Sequence, residues 1–326
     1  MIEEAIQGAL SQTYQPLEII VSDDCSDDNT WQIIQQTLAD YTGPHRILAR
    51  RNERNLGISE HVNEVWKHCN GDWIVASAGD DISKPDRVAR IMDIVGTRQD
   101  IKLVQSWIDE VDANGQLIEV NHLGSHHHPG VLTVYGLHDR IRGASYAPHG
   151  AAMAYSRDVV ERFPPLPPGV IFEDNIVNLR AELLGSAAVV ALPLVKHRNH
   201  AGQITQSTRG QTPIRQHERL RARLESDIRS TLQNVSDIEF VSERIPDETR
   251  HEAQAFFSRR LKYFRGKHHA LVSAWPGRLK YLPATIVKRD VAPLTRDDLM
   301  RSLLPDSLYR WIKIRRDNRD IKRSVD

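Results

Sequence analysis

Hydrophobic and polar positions alternate along the first hundred residues in a pattern that predicts helices and strands in turn. Residues 2–10, "IEEAIQGAL", place apolar side chains at helical spacing, and residues 17–22, "LEIIVS", predict a strand. An amphipathic helix is predicted for 31–41, a short strand for 46–51 and a further helix for 58–69. This order is typical of βαβ units. We therefore expect an α/β fold with a mainly parallel, Rossmann-like sheet flanked by helices.

The pattern continues to about residue 100 and then loosens. Residues 73–78, "WIVASA", predict a buried strand, and 84–95, "KPDRVARIMDIV", predict a helix with a proline near its start. Residues 101–120 read as a hairpin that turns at an Asn-Gly pair. From about residue 210 the chain becomes helical and rich in arginine.

These changes divide the chain into two predicted regions. Residues 1–209 form the first, with a half at 1–100 and a second half at 101–209, and residues 210–326 form a helical C-terminal extension. Charge is distributed unevenly, since 251–326 holds 18 Lys and Arg against 8 Asp and Glu. A basic tail of this kind can bind nucleic acid, anionic lipid or an acidic partner, or can be a solvated helical surface.

The composition of the chain indicates the cellular compartment in which to expect the protein. The 326 residues contain no apolar run of the roughly 18 residues that a membrane-spanning helix needs, and no secretory signal is visible. Cys25 and Cys69 have no metal-ligand or redox spacing. We therefore expect a cytoplasmic protein. Its basic tail either contacts the inner face of the membrane peripherally or packs on the domain as a helix.

Acidic pairs follow the predicted strands at the ends where ligands bind in open α/β sheets. They are Asp23 and Asp24, Asp80 and Asp81, and Glu173 and Asp174, the last opening a helix. Three converging pairs suit Mg²⁺ or Mn²⁺ held together with a phosphorylated ligand. A helix cap or a turn is the alternative for any one pair, because Asp is common at both.

Three segments carry a resemblance to a known family. They are "AIQGALSQTYQPLEIIVSDDCSDDNT", "RNERNLGISEHVN" and "GDWIVASAGDDISKPDRV", which together span about 2–95. In order and spacing they resemble the family 2 glycosyltransferases of the GT-A fold. A weaker likeness covers about 148–205 and includes "HGAAMAYSRDVVERFPPLP" and "HRNHAGQIT".

The resemblance implies a role for each matching residue. Asp24, with Asp23 beside it, matches the acid that contacts the nucleotide base. Asp80 matches the last acid of the family's DxD motif, which binds the metal on the donor diphosphate, and Asp81 matches the acid after it. Asp174 matches the catalytic base.

Further positions are assigned to the donor site by the same likeness. His200 matches a histidine that lies near the diphosphate in some members, and Arg198 lies two residues earlier. Asn55 and Gly57, with Asn63 in the helix that follows, shape a turn and helix near the donor, and a pure turn role is equally open.

Two departures from the family pattern stand out. Ala78 occupies the position of the first DxD acid, so the contact which that acid makes is lost. Met1 lies inside the helix that follows the family's first strand, and this strand is internal to the sheet. We therefore expect unpaired strand edges beside the place of the missing strand.

The resemblance implies an inverting, metal-dependent glycosyltransferase. Its expected partners are a nucleotide-sugar donor and a glycan or lipid-linked saccharide acceptor, in cell-surface polysaccharide synthesis. The main alternative is a catalytically inactive GT-A-like binding or scaffolding module. A nucleotidyltransferase would want a Gly-, Lys- or Arg-rich phosphate loop after the first strand, which is not visible. Nucleic-acid binding is not expected, because recognition motifs and aromatic interleaving are lacking.

Overall fold

The computed structural model describes residues 1–120, 130–144, 146–200, 202–203 and 213–273. The predicted domain boundary near residue 209 and the predicted basic tail beyond residue 273 lie outside the described residues.

Strands and helices alternate through the first half of the chain, as the hydrophobic pattern predicts. The strands of the described residues are β1 Glu18–Asp23, β2 Arg46–Arg51, β3 Trp73–Val75, β4 Ile82–Ser83, β5 Ile101–Val111, β6 Leu117–Glu119, β7 Leu132–Tyr135, β8 Met153–Ser156 and β9 Ser186–Arg198. The helices are α1 Ile2–Leu10, α2 Thr30–Ala39, α3 Ile58–Trp66, α4 Arg87–Thr97, α5 Leu137–Ile141, α6 Asp158–Glu161, α7 Asp174–Leu184, α8 Pro213–Phe240 and α9 Asp247–Val272.

The described strands form two sheets. β1 and β2 pair in parallel as a small sheet, and a larger one has the order β3-β8-β5-β9-β4, with β6 added to β5 and β7 to β9. No described strand pair joins the two sheets.

The prediction of a mainly parallel sheet is wrong for the larger sheet. Only β5 and β9 pair in parallel there, and its remaining described pairings are antiparallel. The physical reason lies in one local turn and in pairings between strands that are far apart in the sequence. The hairpin at Asn114-Gly115 returns β6 beside β5, and the short strands β4, β7 and β8 have antiparallel neighbours. The α/β class itself is confirmed, with a central sheet flanked by helices.

Helix α1 links the two sheets. Ile6 packs with Val21 of β1 and Ile34 of α2 in one buried cluster. On its other side α1 approaches β4 so closely that a Cβ added at Gly8 would lie 3.0 Å from the carbonyl oxygen of Ser83. The small sheet is therefore attached to the rest of the fold by helix packing.

Helices α8 and α9 pack on the larger sheet's helical layer through α5 and α7. A buried apolar cluster joins Leu179 of α7, Ile238 of α8 and Phe257 of α9. Within it, Nε of Arg180 lies 2.7 Å from Oδ2 of Asp237, and both side chains are fully buried. Removing one partner of such a pair would leave an uncompensated buried charge, so this contact fixes α8 on α7.

Candidate active site

The first acid after β1 is turned into the protein. Oδ1 of Asp23 accepts hydrogen bonds from the backbone N–H and the hydroxyl of Ser26, and Oδ2 lies 3.0 Å from Nε of Arg51. The side chain is only 2% exposed. Asp23 therefore shapes the loop after β1, and its predicted contact with a nucleotide stays a prediction.

Asp24 holds the turn that precedes α3. Its carboxylate accepts hydrogen bonds from the backbone N–H groups of Leu56 and Gly57, both at 2.9 Å, and from Nδ2 of Asn52 at 2.7 Å. Gly57 has a φ of +82°, which favours glycine. Asn55, in the same turn, is exposed. The end of β1 and this turn thus form one unit.

The second acidic pair lies in the loop between β3 and β4. Nε2 of His200 lies 2.9 Å from Oδ2 of Asp80, whose side chain is 29% exposed. Asp81 is buried, and its Oδ1 accepts a hydrogen bond from the backbone N–H of Arg198 and lies 3.0 Å from Nδ1 of His197. The two neighbours therefore differ, since Asp80 remains accessible while Asp81 ties the loop to the end of β9.

Arg198 is buried beneath this loop. Its guanidinium donates to the backbone carbonyls of Asp80 at 3.0 Å and Ala113 at 2.9 Å, and to the carboxylate of Glu4 at 2.8 Å. These contacts join α1, the β5–β6 hairpin and the Asp80 loop. The predicted donor contact of Arg198 stays a prediction.

Arg87 at the start of α4 is a site residue that the sequence analysis missed. Its Nη2 donates to the carbonyls of Ala76 and Ala151 at 2.9 Å and of Met153 at 3.2 Å. Burial lowers its pKa to about 10. The side chain holds the loop after β3 against the segment before β8. Its place in the quoted "PDRV" motif was the available signal.

The third acidic pair stands at the head of α7. Oδ2 of Asp174 accepts a hydrogen bond from the backbone N–H of Gly150 at 3.2 Å, and Oδ1 accepts one from Nδ2 of Asn175 at 3.1 Å. Burial raises the pKa of Asp174. Burial, and then the charge of Asp174, raises the pKa of Glu173 to about 7. These carboxyl groups therefore have a higher proton affinity than exposed acids.

A ring contact connects the second and third acidic pairs. The imidazoles of His149 and His197 meet edge to face, with ring centroids 4.6 Å apart. His149 precedes Gly150, which binds Asp174, and His197 contacts Asp81. The structure thus brings the Asp80 loop and the head of α7 into one polar region. Neither histidine was assigned to the site from the sequence, although His197 lies in the quoted "HRNH" neighbourhood.

The α/β fold and the acidic pairs agree with the resemblance seen in the sequence, and comparison with known proteins supplies the family. The model of Glycosyl transferase family 2 matches residues 1–162. This chain belongs to family 2 of the glycosyltransferases, as its resemblance implied.

Relatives extend the likeness beyond the matched segment. A putative glycosyltransferase, EpsE of Bacillus subtilis, is 36% identical over 89 residues, which cover 27% of this chain and 31% of EpsE. The uncharacterized glycosyltransferase alr2836 of a Nostoc species is 24% identical over 271 residues, covering 82% of this chain and 78% of the relative. This chain thus spans less than a third of EpsE.

Solved structures of S. aureus TarS have a similar fold. One aligns with 93% of this chain and 77% of its own, at a TM-score of 0.54 and 15% identity. Another, in complex with UDP-GlcNAc, aligns with 87% and 75%, at a TM-score of 0.51. At this identity the likeness concerns the fold alone.

Two features of the described residues concern metal ions and membranes. Within that part of the chain, no group of three or more His, Cys, Asp or Glu side chains is arranged to hold a metal ion. None of the described helices combines the length and the apolar character that crossing a membrane requires.

Proposed function

We propose that this family member is an inverting, metal-dependent glycosyltransferase. It transfers a sugar from a nucleotide-sugar donor to a hydroxyl group of a glycan or a lipid-linked saccharide. Polysaccharide synthesis is supported by relatives such as an Escherichia coli chondroitin synthase, which is 29% identical over 117 residues.

The edge-to-face contact of His149 and His197 is the observation that carries this proposal. It joins the loop of Asp80 to the head of α7, where Asp174 lies. A leaving diphosphate and an attacking hydroxyl must sit on opposite sides of one sugar carbon. A charge-stabilising group and a proton acceptor are therefore needed in one region, and this contact supports their being close together.

Asp174 is the proposed base. An acceptor hydroxyl is a weak nucleophile near neutral pH, so a carboxylate within hydrogen-bond reach removes its proton during attack. Burial raises the pKa of Asp174, which increases its proton affinity. A single displacement assisted by one base inverts the configuration of the anomeric carbon.

Asp80 is the proposed ligand of Mg²⁺ or Mn²⁺. Its carboxylate is the more accessible of the pair, since Asp81 is buried against His197 and Arg198. One protein carboxylate fits a cation whose other ligands are donor phosphates and water, which is common for Mg²⁺. Such a cation would supply Lewis-acid stabilisation of the charge on the departing diphosphate.

The donor is supported by likeness and by geometry. TarS has been solved with UDP-GlcNAc and with UDP, which favours a nucleotide-sugar for a chain of similar fold. The predicted donor-site residues Asp24, Asn55 and Gly57 lie in or beside the turn before α3. Cytoplasmic placement and contact of the basic tail with a membrane surface stay predictions.

A non-catalytic binding module is the second candidate. Ala78 in place of the first DxD acid favours it. Retention of both an accessible Asp80 and a partly buried Asp174 favours the enzyme.

Substitution of the base tests the two candidates. Asp174→Asn should lower the turnover number by about 10²–10⁴-fold, because general-base assistance is lost. Calorimetric titration with UDP-, GDP- and dTDP-sugars in Mn²⁺ should show unchanged donor affinity. Loss of donor binding in this variant would move Asp174 into the donor site, and donor binding without any turnover in the wild type would favour the binding module.

Substitution at the proposed metal ligand is the companion experiment. Asp80→Ala should abolish the Mn²⁺-dependent part of donor binding, since the carboxylate contact is removed. Asp93→Ala, an exchange of a side chain on α4 outside the site, is the control. Equal Mn²⁺ dependence in wild type and Asp80→Ala would contradict the metal role.

A further inference from the structure

The segment that leads into α7 has an unusual backbone. Residues 163–172, "FPPLPPGVIF", connect α6 to the Glu173-Asp174 pair. Proline has no backbone N–H, so Leu166 is the only residue of 164–168 that can donate a backbone hydrogen bond. Any hydrogen-bonded attachment of this run through a backbone donor must therefore use Leu166.

Asn63 of α3 supplies that attachment. Its Oδ1 accepts a hydrogen bond from the backbone N–H of Leu166 at 2.9 Å, and its Nδ2 donates to the carbonyl of Leu166 at 2.9 Å. The two residues are 103 positions apart in the chain. One amide side chain thus satisfies both backbone polar groups of Leu166, as a neighbouring strand would.

The side chain of Leu166 extends this attachment to α7. It is 2% exposed and packs with Val170 and with Ile176 of α7, and Val62 and Trp66 of α3 border the same cluster. Ile176 lies two residues after Asp174. Leu166 is therefore wedged between the helix that bears Asn63 and the helix that bears the proposed base.

Helix α3 begins at the turn that Asp24 holds. The N–H groups of Leu56 and Gly57 bind Asp24, and the first turn of α3 contains Ser59, whose hydroxyl accepts a hydrogen bond from Val170 at 3.3 Å. A continuous set of contacts thus runs from the acid after β1, through α3, to the segment before Asp174.

We propose that Asn63 is a positioning residue for Asp174, which it places through Leu166, and that it links the position of this base to the turn held by Asp24. The inference rests on the proposed function for the role of Asp174. Asn63 itself does not touch the reacting atoms. It fixes the position of the N-terminal end of α7 relative to the turn that Asp24 holds.

Removal of the amide should loosen the head of α7. In Asn63→Ala the Leu166 N–H and carbonyl lose their partner, so local opening of 164–172 becomes easier. Water would then reach Glu173 and Asp174 more readily, and their raised pKa values would fall towards the ordinary range.

A ligand-free experiment tests the positioning role. We expect amide hydrogen exchange of Leu166 to become about tenfold faster in Asn63→Ala. Carboxyl ¹³C titration should show lower pKa values for Glu173 and Asp174. Asn70→Ala is the matched control, because Asn70 bonds to Glu18 of β1 and not to this segment. Unchanged titration of both acids, with Leu166 exchange accelerated, would overturn the proposal.

Kinetics separate this proposal from the proposed function. Asn63→Ala should lower kcat about tenfold or more and leave the KM for the donor nearly unchanged, since the base and not the donor is displaced. Equal falls in donor affinity and kcat would overturn the positioning role. If the wild type binds no nucleotide-sugar, the proposed function fails, while the ligand-free titration still decides whether Asn63 positions Asp174.

A second variant keeps the proposal testable if Asn63→Ala does not fold. Asn63→Asp keeps the acceptor for the Leu166 N–H and removes the donor to its carbonyl. A titration shift smaller than that of Asn63→Ala, in the same direction, would support the proposal. If Glu173 and Asp174 titrate as in the wild type in both Asn63→Asp and Asn63→Ala, the proposal is contradicted.

Discussion

The acids after β1 and the acids at the head of α7 have opposite surroundings. Asp24 receives three hydrogen bonds, two of them from backbone N–H groups, and Asp23 lies beside the guanidinium of Arg51. Glu173 and Asp174 are partly buried, and burial raises the pKa of each. The first pair is held by hydrogen bonds and an ion pair, whereas burial disfavours the carboxylate form of the second pair.

This difference indicates that the two acidic pairs have different roles. A carboxylate that satisfies backbone donors fixes a turn, so Asp24 shapes the turn before α3. A carboxyl group with raised proton affinity is suited to accept a proton, which the proposed reaction requires of Asp174. Aspartate thus fixes a turn at position 24, and at position 174 it is the proposed proton acceptor.

The largest expected effect concerns the pH dependence of stability at Glu173. Its pKa of about 7 when folded exceeds the ordinary value of 4.5, so the folded state binds more protons between these values. This contribution is fully present below pH 4.5 and is lost as the pH rises to about 7. Glu173→Gln should remove a decline of up to about 3 kcal/mol in the free energy of unfolding.

Urea unfolding at pH 5, 6, 7 and 8 measures this slope. We expect Glu173→Gln to be the more stable protein at pH 8 and its advantage to shrink towards pH 5. Glu53→Gln, at an exposed acid in the turn before α3, is the control and should keep the wild-type slope. Parallel pH profiles for wild type and Glu173→Gln would show that the two acidic pairs do not differ as described.

The second-largest expected effect is a loss of stability when Asp24 is substituted, whereas Glu173→Gln increases stability at pH 8. Asp24→Asn should lower the free energy of unfolding by about 2 kcal/mol at pH 7, because charge-assisted hydrogen bonds to Leu56 and Gly57 are weakened. Asp27→Asn is the matched control, since Asp27 is exposed in the same acidic run. Equal stability of the two variants in urea would mean that Asp24 does not hold the turn.

Local sequence signals predicted the first half of the fold well. The apolar spacing of 2–10 and of 31–41 predicted α1 and α2, and Asp28 accepts a hydrogen bond from the N–H of Thr30 at the start of α2. The Asn114-Gly115 turn gave the β5–β6 hairpin, with Gly115 at a φ of +81°. In each case the residues that set the structure lie within a few positions of it.

Features that depend on distant contacts could not be predicted. Arg87 gave no sign that it would bind the carbonyl of Met153, 66 positions away, and Asn63 gave no sign of its contact with Leu166. The antiparallel directions of β4, β7 and β8 likewise arise from packing around β9 and β5. The residue types of the acidic pairs were visible in the sequence, but whether burial or hydrogen bonds surround them was not.

The smallest expected effect is a steric one at Gly150. A Cβ added there would lie 3.3 Å from Oε1 of Glu173, so the Glu173 carboxyl group must shift by a few tenths of an ångström, whereas its 3.9 Å approach to Oδ2 of Asp174 is an ordinary van der Waals contact. We expect Gly150→Ala to lower kcat by about tenfold, which is about 1.4 kcal/mol, with donor affinity unchanged. Gly96→Ala is the matched control, because a Cβ there meets nothing within 4 Å and α4 should gain helix propensity. If both alanine variants turn over like wild type, the carboxyl groups tolerate displacement. The proposed proton transfer to Asp174 would then not require a fixed position of these carboxyl groups. The two acidic pairs would differ in the opposite way from the one described, with geometry mattering only at Asp24.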